Sequence, residues 1–500
     1  MILSNNSPNA MYNLRKKTGS ILAYTLIIIS IVSIFLTASL KVVVSNIQYG
    51  INRESKEEAL QIAEAGVYFY RWYLAHQVAG LTKKQIRQFW TDTANPPYGV
   101  NEVHEDDFLG IGSYQISVTA PASNSTIVIV RVTGWTYKYP NLRRTIKVRF
   151  RQPSWSEYSV LCDSTIRFGE GTDVYGPIHS NGGIRFDAVA HNLVTSGVAS
   201  YDDPDHDDFG AEKLEFGVHT HDNPVDPLPP AAVPAHADVF MAGREFPVPV
   251  KDFNSVLSDM ADMKSQAGCN NVGSVCAGDA NGRITSANGI YFNNLDSGRH
   301  ITLRTDGTMR VRRVTSIEVG NDIKNESAYV TYAIPNEGII FVEDNVWIDG
   351  QINGKKITVV AADLSSGNSA DIFIRNDVRY TNYDGTDIIG LVAQKDVEVT
   401  RGSEEDLRID GALLAQSGRV GRDYYCSAYN WQGDCVGTLY DRDTITVNGS
   451  IVTKLRYGFA YVDGTGYTNR NLIFDNNLLY DPPPYFPTGT DYAIDSWEEI

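Results

Sequence analysis

The chain has 500 residues, 42% of them hydrophobic and 21% charged, an ordinary globular composition with room for about three domains. Its net charge of −17 argues against broad nucleic-acid binding, which needs a basic surface. The 28 tyrosines and 42 glycines suit a β-rich, turn-rich protein outside the cytoplasm, and no P-loop, G-x-S-x-G, H-E-x-x-H or dinucleotide fingerprint occurs.

The first element is an apolar run without a charge, Ile21 to Leu40. About 20 residues are enough to span a hydrocarbon core as a helix, and the run exceeds the usual h-region of a signal peptide. Arg15, Lys16 and Lys17 precede it, which places the N-terminus in the cytoplasm and the rest of the chain outside. Basic residues, then Gly19 and Ser20, then a long apolar helix form the string "KKTGSILAY". That string resembles the N-terminus of type IV pilin-like proteins, particularly PilX-type minor pilins and the minor pseudopilins of type II secretion. The resemblance implies that a prepilin peptidase cuts after Gly19, that Ser20 becomes the new N-terminus, and that residues 1–19 are a cytoplasmic leader. Major pilins carry a Glu at the fifth mature position; here that position is Tyr24. A carboxylate in lipid is costly without a partner amine, so its loss fits a minor subunit at a tip or at the start of an assembly. A plain single-pass anchor is the competing reading.

From Ile51 to His76 the chain has no proline. Leu60, Ala63, Val67, Tyr70 and Leu74 recur three or four apart, one face of a helix continuing out of the membrane. The string "AEAG", Ala63 to Gly66, resembles the PilX-type stalk. Residues 20–78 are thus expected as transmembrane and stalk helix. From Gly112 the pattern turns to alternation in "SYQISVTA", "STIVIVRVTGWTYKY" and "LRRTIKVRFRQP", three or four antiparallel strands. With the helix they form a pilin-like α+β module whose head covers 79–152, followed by a linker from Gln152 to Trp155.

Beyond Cys162 a phrase recurs at Gly176, Gly338, Gly390, Gly411 and Gly449: Gly, a short apolar strand, a polar corner, another short strand. "LVAQ" after Gly390 and "LLAQ" after Gly411 are its clearest pair. A strand–corner–strand unit returning every 20–25 residues is the sign of a parallel β-solenoid. Residues 153–500 are expected as an irregular, all-β solenoid, with a β-sandwich as the alternative and one helix near Val250–Gln266. "GPIHSNGG" and the ending Phe474–Glu499 also resemble an uncharacterised bacterial family attached to PilX-type stalks, which brings no chemistry with it. Residues 201–249, rich in Asp, His and Pro, read as a long exposed insertion.

Cys269/Cys276 and Cys426/Cys435 are close pairs in loop-like stretches, read as disulfides of an oxidising compartment; zinc ligation is the rival. Cys162 is left over as a buried small residue. For metals, His219 and His221 are spaced to share one side of a strand, with Asp222 beside them. Asp202, Asp203, Asp205, Asp207 and Asp208 offer hard oxygens for calcium. The competing reading is a merely solvated loop. His179 and Asn181 are expected to hold a corner, and "NYDGTD", Asn382 to Asp387, is expected to be turn chemistry.

The sequence therefore describes a non-enzymatic, membrane-anchored, pilin-like surface protein, with no cofactor apart from the calcium option. It would be a single-pass protein of the inner, cytoplasmic membrane with its C-terminal part outside, as a minor component of a type IV pilus or related pseudopilus. Its expected partners are the lipid bilayer, other pilin-like subunits, prepilin peptidase and an unidentified surface ligand, with no nucleic acid. Two alternatives stand beside it: a surface-tethered β-helical carbohydrate-active enzyme, and a single-pass envelope protein outside any filament.

Overall fold

The computed structural model describes residues 19–122, 125–170, 172–204, 214–336, 338–432, 435–461, 464–489 and 491–500. The leader expected at 1–19 lies outside them except for Gly19. Helix α1, Gly19–Gln77, runs for 59 residues, about 90 Å at 1.5 Å per residue. Its two halves differ. Every residue from 21 to 50 is exposed, whereas Ala59, Ile62, Ala63, Val67, Tyr70 and Leu74 are buried. The buried set follows the 3.6-residue period; Leu60 sits at its margin.

A second helix, α2 (Lys83–Thr91), was not foreseen. A capping box starts it: the Thr82 hydroxyl accepts from the Gln85 N–H, and the Gln85 side chain accepts from the Thr82 N–H. Strands β1 (His104–Phe108), β2 (Gly112–Thr119), β3 (Val128–Thr136) and β4 (Arg144–Arg151) form an antiparallel sheet. Its inner face, including Ile116, Val130, Val132, Ile146, Val148 and Phe150, packs on the lower half of α1. β1 was missed because "HEDDF" carries no apolar alternation.

Helix and sheet approach closely through small residues. A Cβ on Gly134 of β3 would strike the Ala59 carbonyl oxygen and the Ala63 nitrogen of α1. One on Gly66 would lie 2.6 Å from Cγ1 of Val132. The "AEAG" string is thus a packing requirement: only small residues let the helix lie on this sheet.

The sequence assigned everything after 153 to the outer part. The structure differs at the end, because Ala493–Glu499 returns to the first sheet and pairs antiparallel with β4, Trp497 opposite Val148 and Glu499 opposite Ile146. The physical reason is charge. β4 presents Arg144, Lys147, Arg149 and Arg151, and the last strand answers with Asp495, Glu498 and Glu499. The outer β-rich part is therefore an insertion between β4 and the final strand.

That part is dominated by parallel pairing. One ladder runs through Gly289–Phe292, Gly338–Val342, Lys356–Ala361, Ile388–Ala393, Asp406–Ala415 and Arg442–Thr453. It continues through Val160–Cys162, Ile178–Ser180 and Val194–Ser196. A second ladder joins Arg299–Leu303, Val346–Ile352, Ile372–Tyr380, Val397–Val399 and Val420–Arg422. The repeated phrases are in-register neighbours: Leu391 faces Leu413 and Ala393 faces Ala415. Ile340, Val359, Leu391 and Leu413 share one apolar core with Ile348, Ile374 and Val397 of the second ladder. The other face of the first ladder is covered by α3, Ser255–Ala267, through Val256, Met260 and Met263. Chain order and stacking order part company, since the early strand Val160–Cys162 stacks on the late strand Arg442–Thr453.

The 201–249 segment is not simply an exposed loop. Ser200–Asp202 pairs with Leu214–Phe216, and Val218–His219 pairs with Ile184–Phe186. Phe216, Val218, Val239 and Phe240 are buried. These apolar residues, spaced between the prolines and acids, anchor it to the ladder end.

Candidate functional site

Two features outside the packed core carry chemistry. The first is the upper half of α1. Its most apolar 18-residue window has a mean hydropathy of 2.5 and no buried residue. Among the described residues α1 alone is long and apolar enough to cross a membrane. Thr25, Ser30 and Thr37 return their hydroxyls to carbonyls one turn back, which removes their polar cost in an apolar surrounding. Tyr24 is exposed on this half. Gly19 and Ser20 form the first described turn of the helix.

The second feature lies in the insertion. His219 is fully buried, and neither of its ring nitrogens has a hydrogen-bond partner. Its Nε2 lies 3.5 Å from Oδ2 of buried Asp203, and the rings of His219 and His221 have centroids 5.1 Å apart. Ligand atoms of Asp203, His219 and His221 all fall within 4.8 Å of one another. The structure brings the two histidines of the spacing argument together with Asp203 rather than with Asp222. Asp222 is outside the convergent set, its N–H donating to the Thr220 hydroxyl. Asp203 directly follows the hairpin strand Ser200–Asp202, and the fold brings its carboxylate to His219. Asp202 points to solvent, and Asp205, Asp207 and Asp208 lie outside the described residues.

The remaining candidates have structural work. Disulfides link Cys269 to Cys276 and Cys426 to Cys435. Cys162 is a buried free thiol, pushed up to about 12 by burial. His179 is buried, with Nδ1 2.9 Å from the Thr195 hydroxyl on the neighbouring strand and Nε2 3.1 Å from Oδ1 of Asn181. Burial pulls its pKa down to about 4. Asn181 in turn accepts from the Lys251 N–H and donates to the Lys251 carbonyl, 2.7 Å each. "IHSN" therefore ties three chain segments at one corner. In "NYDGTD", Asp387 accepts from the N–H groups of Thr381 and Asn382, which is turn chemistry.

Sequence reading missed a cleft lined by His300, Glu326, Asp349, Arg375 and Asn376. His300 holds Glu326 at 2.7 Å and Asp349 at 3.1 Å. Burial pulls the His300 pKa down, but the two carboxylates outweigh it and hold the imidazole above its ordinary value. Both carboxylates are thus engaged by one imidazolium. No sequence signal brings residues 300, 326 and 349 together: a parallel pairing brings Asp349 to His300, and two successive antiparallel pairings bring Glu326.

No family model matches the chain, and no curated protein matches it. Among solved structures it is similar to the crystal structure of the competence-associated pilin ComZ from Thermus thermophilus. The identity is 10% and the TM-score 0.31, over 89% of this chain and 98% of that one, a likeness too slight to argue from.

Proposed function

We propose that the protein is a membrane-anchored, pilin-like surface protein that enters a type IV pilus or related pseudopilus as a minor subunit. The observation that carries this reading is the division of α1. Residues 21–40 offer an exposed apolar surface without a charge, and residues 51–77 pack on a small antiparallel sheet. A helix that is apolar all round at one end belongs in lipid or among like helices, and a stalk leading from it into a head is how a pilin is built. Cleavage after Gly19 with retention of the helix goes with this reading, as do prepilin peptidase and other pilin-like subunits as partners. The absence of a carboxylate at Tyr24 favours a tip or initiating position.

The outer part is an adhesive or structural head rather than an enzyme. Its in-register parallel ladders support a β-solenoid with irregular coils. In its cleft at His300 both carboxylates, Glu326 and Asp349, are tied to that imidazole, and in the cleft lined by Asp259 and Asp262 the latter is paired with Arg87.

The test is the N-terminal sequence of the mature protein after co-expression of the full chain with a prepilin peptidase. A start at Ser20 is expected, and Gly19→Ala should leave the leader attached. An intact Met1 in the unsubstituted protein, with a control prepilin processed in the same cells, overturns the proposal.

A further inference from the structure

We propose that Asp203, His219 and His221 bind one borderline divalent transition-metal ion of the zinc type. This ion would tie the hairpin Ser200–Asp202/Leu214–Phe216 to the strand pair Val218–His219/Ile184–Phe186. Two observations carry it independently. The donor atoms converge within 4.8 Å, and His219 is fully buried with neither ring nitrogen hydrogen-bonded. A buried imidazole with neither nitrogen hydrogen-bonded carries a standing cost, and coordination lowers it by satisfying one of the two nitrogens.

The donor set selects the class of ion. Two imidazoles with one carboxylate suit zinc, cobalt, nickel or copper; calcium takes six to eight oxygens. A tetrahedral zinc with ligands at about 2.0–2.2 Å holds its donor atoms about 3.5 Å apart. The Asp203 oxygen and His219 Nε2 are 3.5 Å apart, so a small inward movement of His221 completes the set.

The surroundings orient these ligands. The backbone N–H of His221 donates to Oδ1 of Asp187 at 2.9 Å, which fixes the main chain at this ligand, and Oδ2 of Asp187 accepts from Nε of Arg185 at 2.7 Å. Arg185 Nη1 lies 3.5 Å from Oδ2 of Asp203, the oxygen that also faces His219. Buried Glu215 brings a carboxylate oxygen to 3.9 Å from His221 Nε2, placing a fourth protein donor beside the set.

The experiment uses the untagged full chain in detergent, stripped with a chelator and titrated with Zn2+, Co2+ and Ca2+ at pH 7.5. One equivalent of Zn2+ should bind and raise the unfolding temperature. Co2+ should give the visible absorption of a four-coordinate site, and Ca2+ should do neither. Asp203→Asn and His219→Gln should each weaken Zn2+ binding by at least about tenfold, whereas His76→Gln, on the stalk, should not. Absence of stoichiometric Zn2+ binding overturns the proposal and leaves His219 and Asp203 as an internal ion pair. So does binding that both variants retain. If a variant does not fold, Cu2+ electron paramagnetic resonance on the unsubstituted chain decides: coupling to two imidazole nitrogens supports the site, and its absence overturns it.

Discussion

The head sheet and the parallel ladders of the outer part are both β-structure, yet they solve burial differently. In β4 buried and half-buried residues alternate, one face on α1 and the other carrying basic side chains. Gly338–Val342 and Ile388–Ala393 are buried at every position. An antiparallel sheet covered on one side keeps a free face for charge, and here that face recruits the acidic C-terminal strand. A parallel ladder buries both faces, so the outer part must supply a second layer. α3, Leu478 and Phe486 provide it on one side, and the second ladder on the other. The head closes only when residue 493 reaches residue 151. Such a long loop between partners makes its completion a late event in folding.

The largest expected effect lies in the doubly buried ladder. Leu413 is fully buried between Leu391 and Ile451 on adjoining strands. Leu413→Ala should cost about 2–5 kcal/mol, measured by denaturant unfolding of the full chain in detergent. A loss below about 1 kcal/mol would mean that this core collapses around the cavity more easily than close packing allows. Next comes the helix–sheet contact of the head. Gly134→Leu inserts a side chain where even a Cβ meets the α1 backbone. The expected loss is about 1–3 kcal/mol, confined to the head transition and seen as faster proteolysis of the stalk with the outer part's unfolding unchanged. One shared shift of both transitions would show that the two regions unfold as a unit.

The two regions also differ in how much of them the sequence discloses. The stalk's buried face is readable because Ala63, Val67, Tyr70 and Leu74 repeat with a helical period. β2 to β4 are readable because their one-sided burial leaves alternation. The "LVAQ" and "LLAQ" phrases, 22 residues apart, disclose a repeat because neighbouring strands need like side chains in register. What stayed hidden is non-local. β1 is acidic and is specified by β2 rather than by itself. The C-terminal strand is specified by the basic row on β4, more than 340 residues earlier. At the histidine cluster, the short spacing was enough to place His219 beside His221. Asp203 was readable as an acidic candidate but not as their neighbour, because the tertiary fold and not the local sequence brings it there.

A third prediction concerns the junction between the regions, where α2 meets α3. Arg87 pairs with Asp262, and Lys83 donates to the Gly489 carbonyl at 2.7 Å. Burial pushes Asp259 up to about 7, against the pull of Lys83, and burial lowers Lys83 to about 8. For Asp259 the folded protein holds a proton that the unfolded chain loses above its ordinary pKa of 3.8. Its contribution is therefore full below 3.8 and is lost as pH rises to about 7. Lys83 acts in the opposite sense. Its folded pKa is depressed, so its contribution is present above 10.5 and lost as pH falls through about 8. Together they place a minimum in the junction's stability between about pH 7 and 8. Asp259→Asn should remove the acid limb of that profile and keep the alkaline one. An unchanged profile in unfolding temperature against pH would relocate the titration to other groups.

The smallest effect is expected where a large aromatic takes no part in either kind of burial. Trp431 is 90% exposed in the loop closed by Cys426 and Cys435, with Tyr429 and Val436 exposed beside it. Trp347, in the second ladder, is 3% exposed and donates its indole N–H to the Asn321 carbonyl at 2.7 Å. The two tryptophans separate area that holds the fold from area that does not. Trp431→Ser should shift the unfolding midpoint by no more than about 0.5 kcal/mol, the range for surface substitutions away from caps, charges and core. A drop above about 1 kcal/mol would mean that the loop is packed onto the ladders in solution. With the midpoint unchanged, folding is removed as the cause of any functional defect of the Trp431→Ser protein.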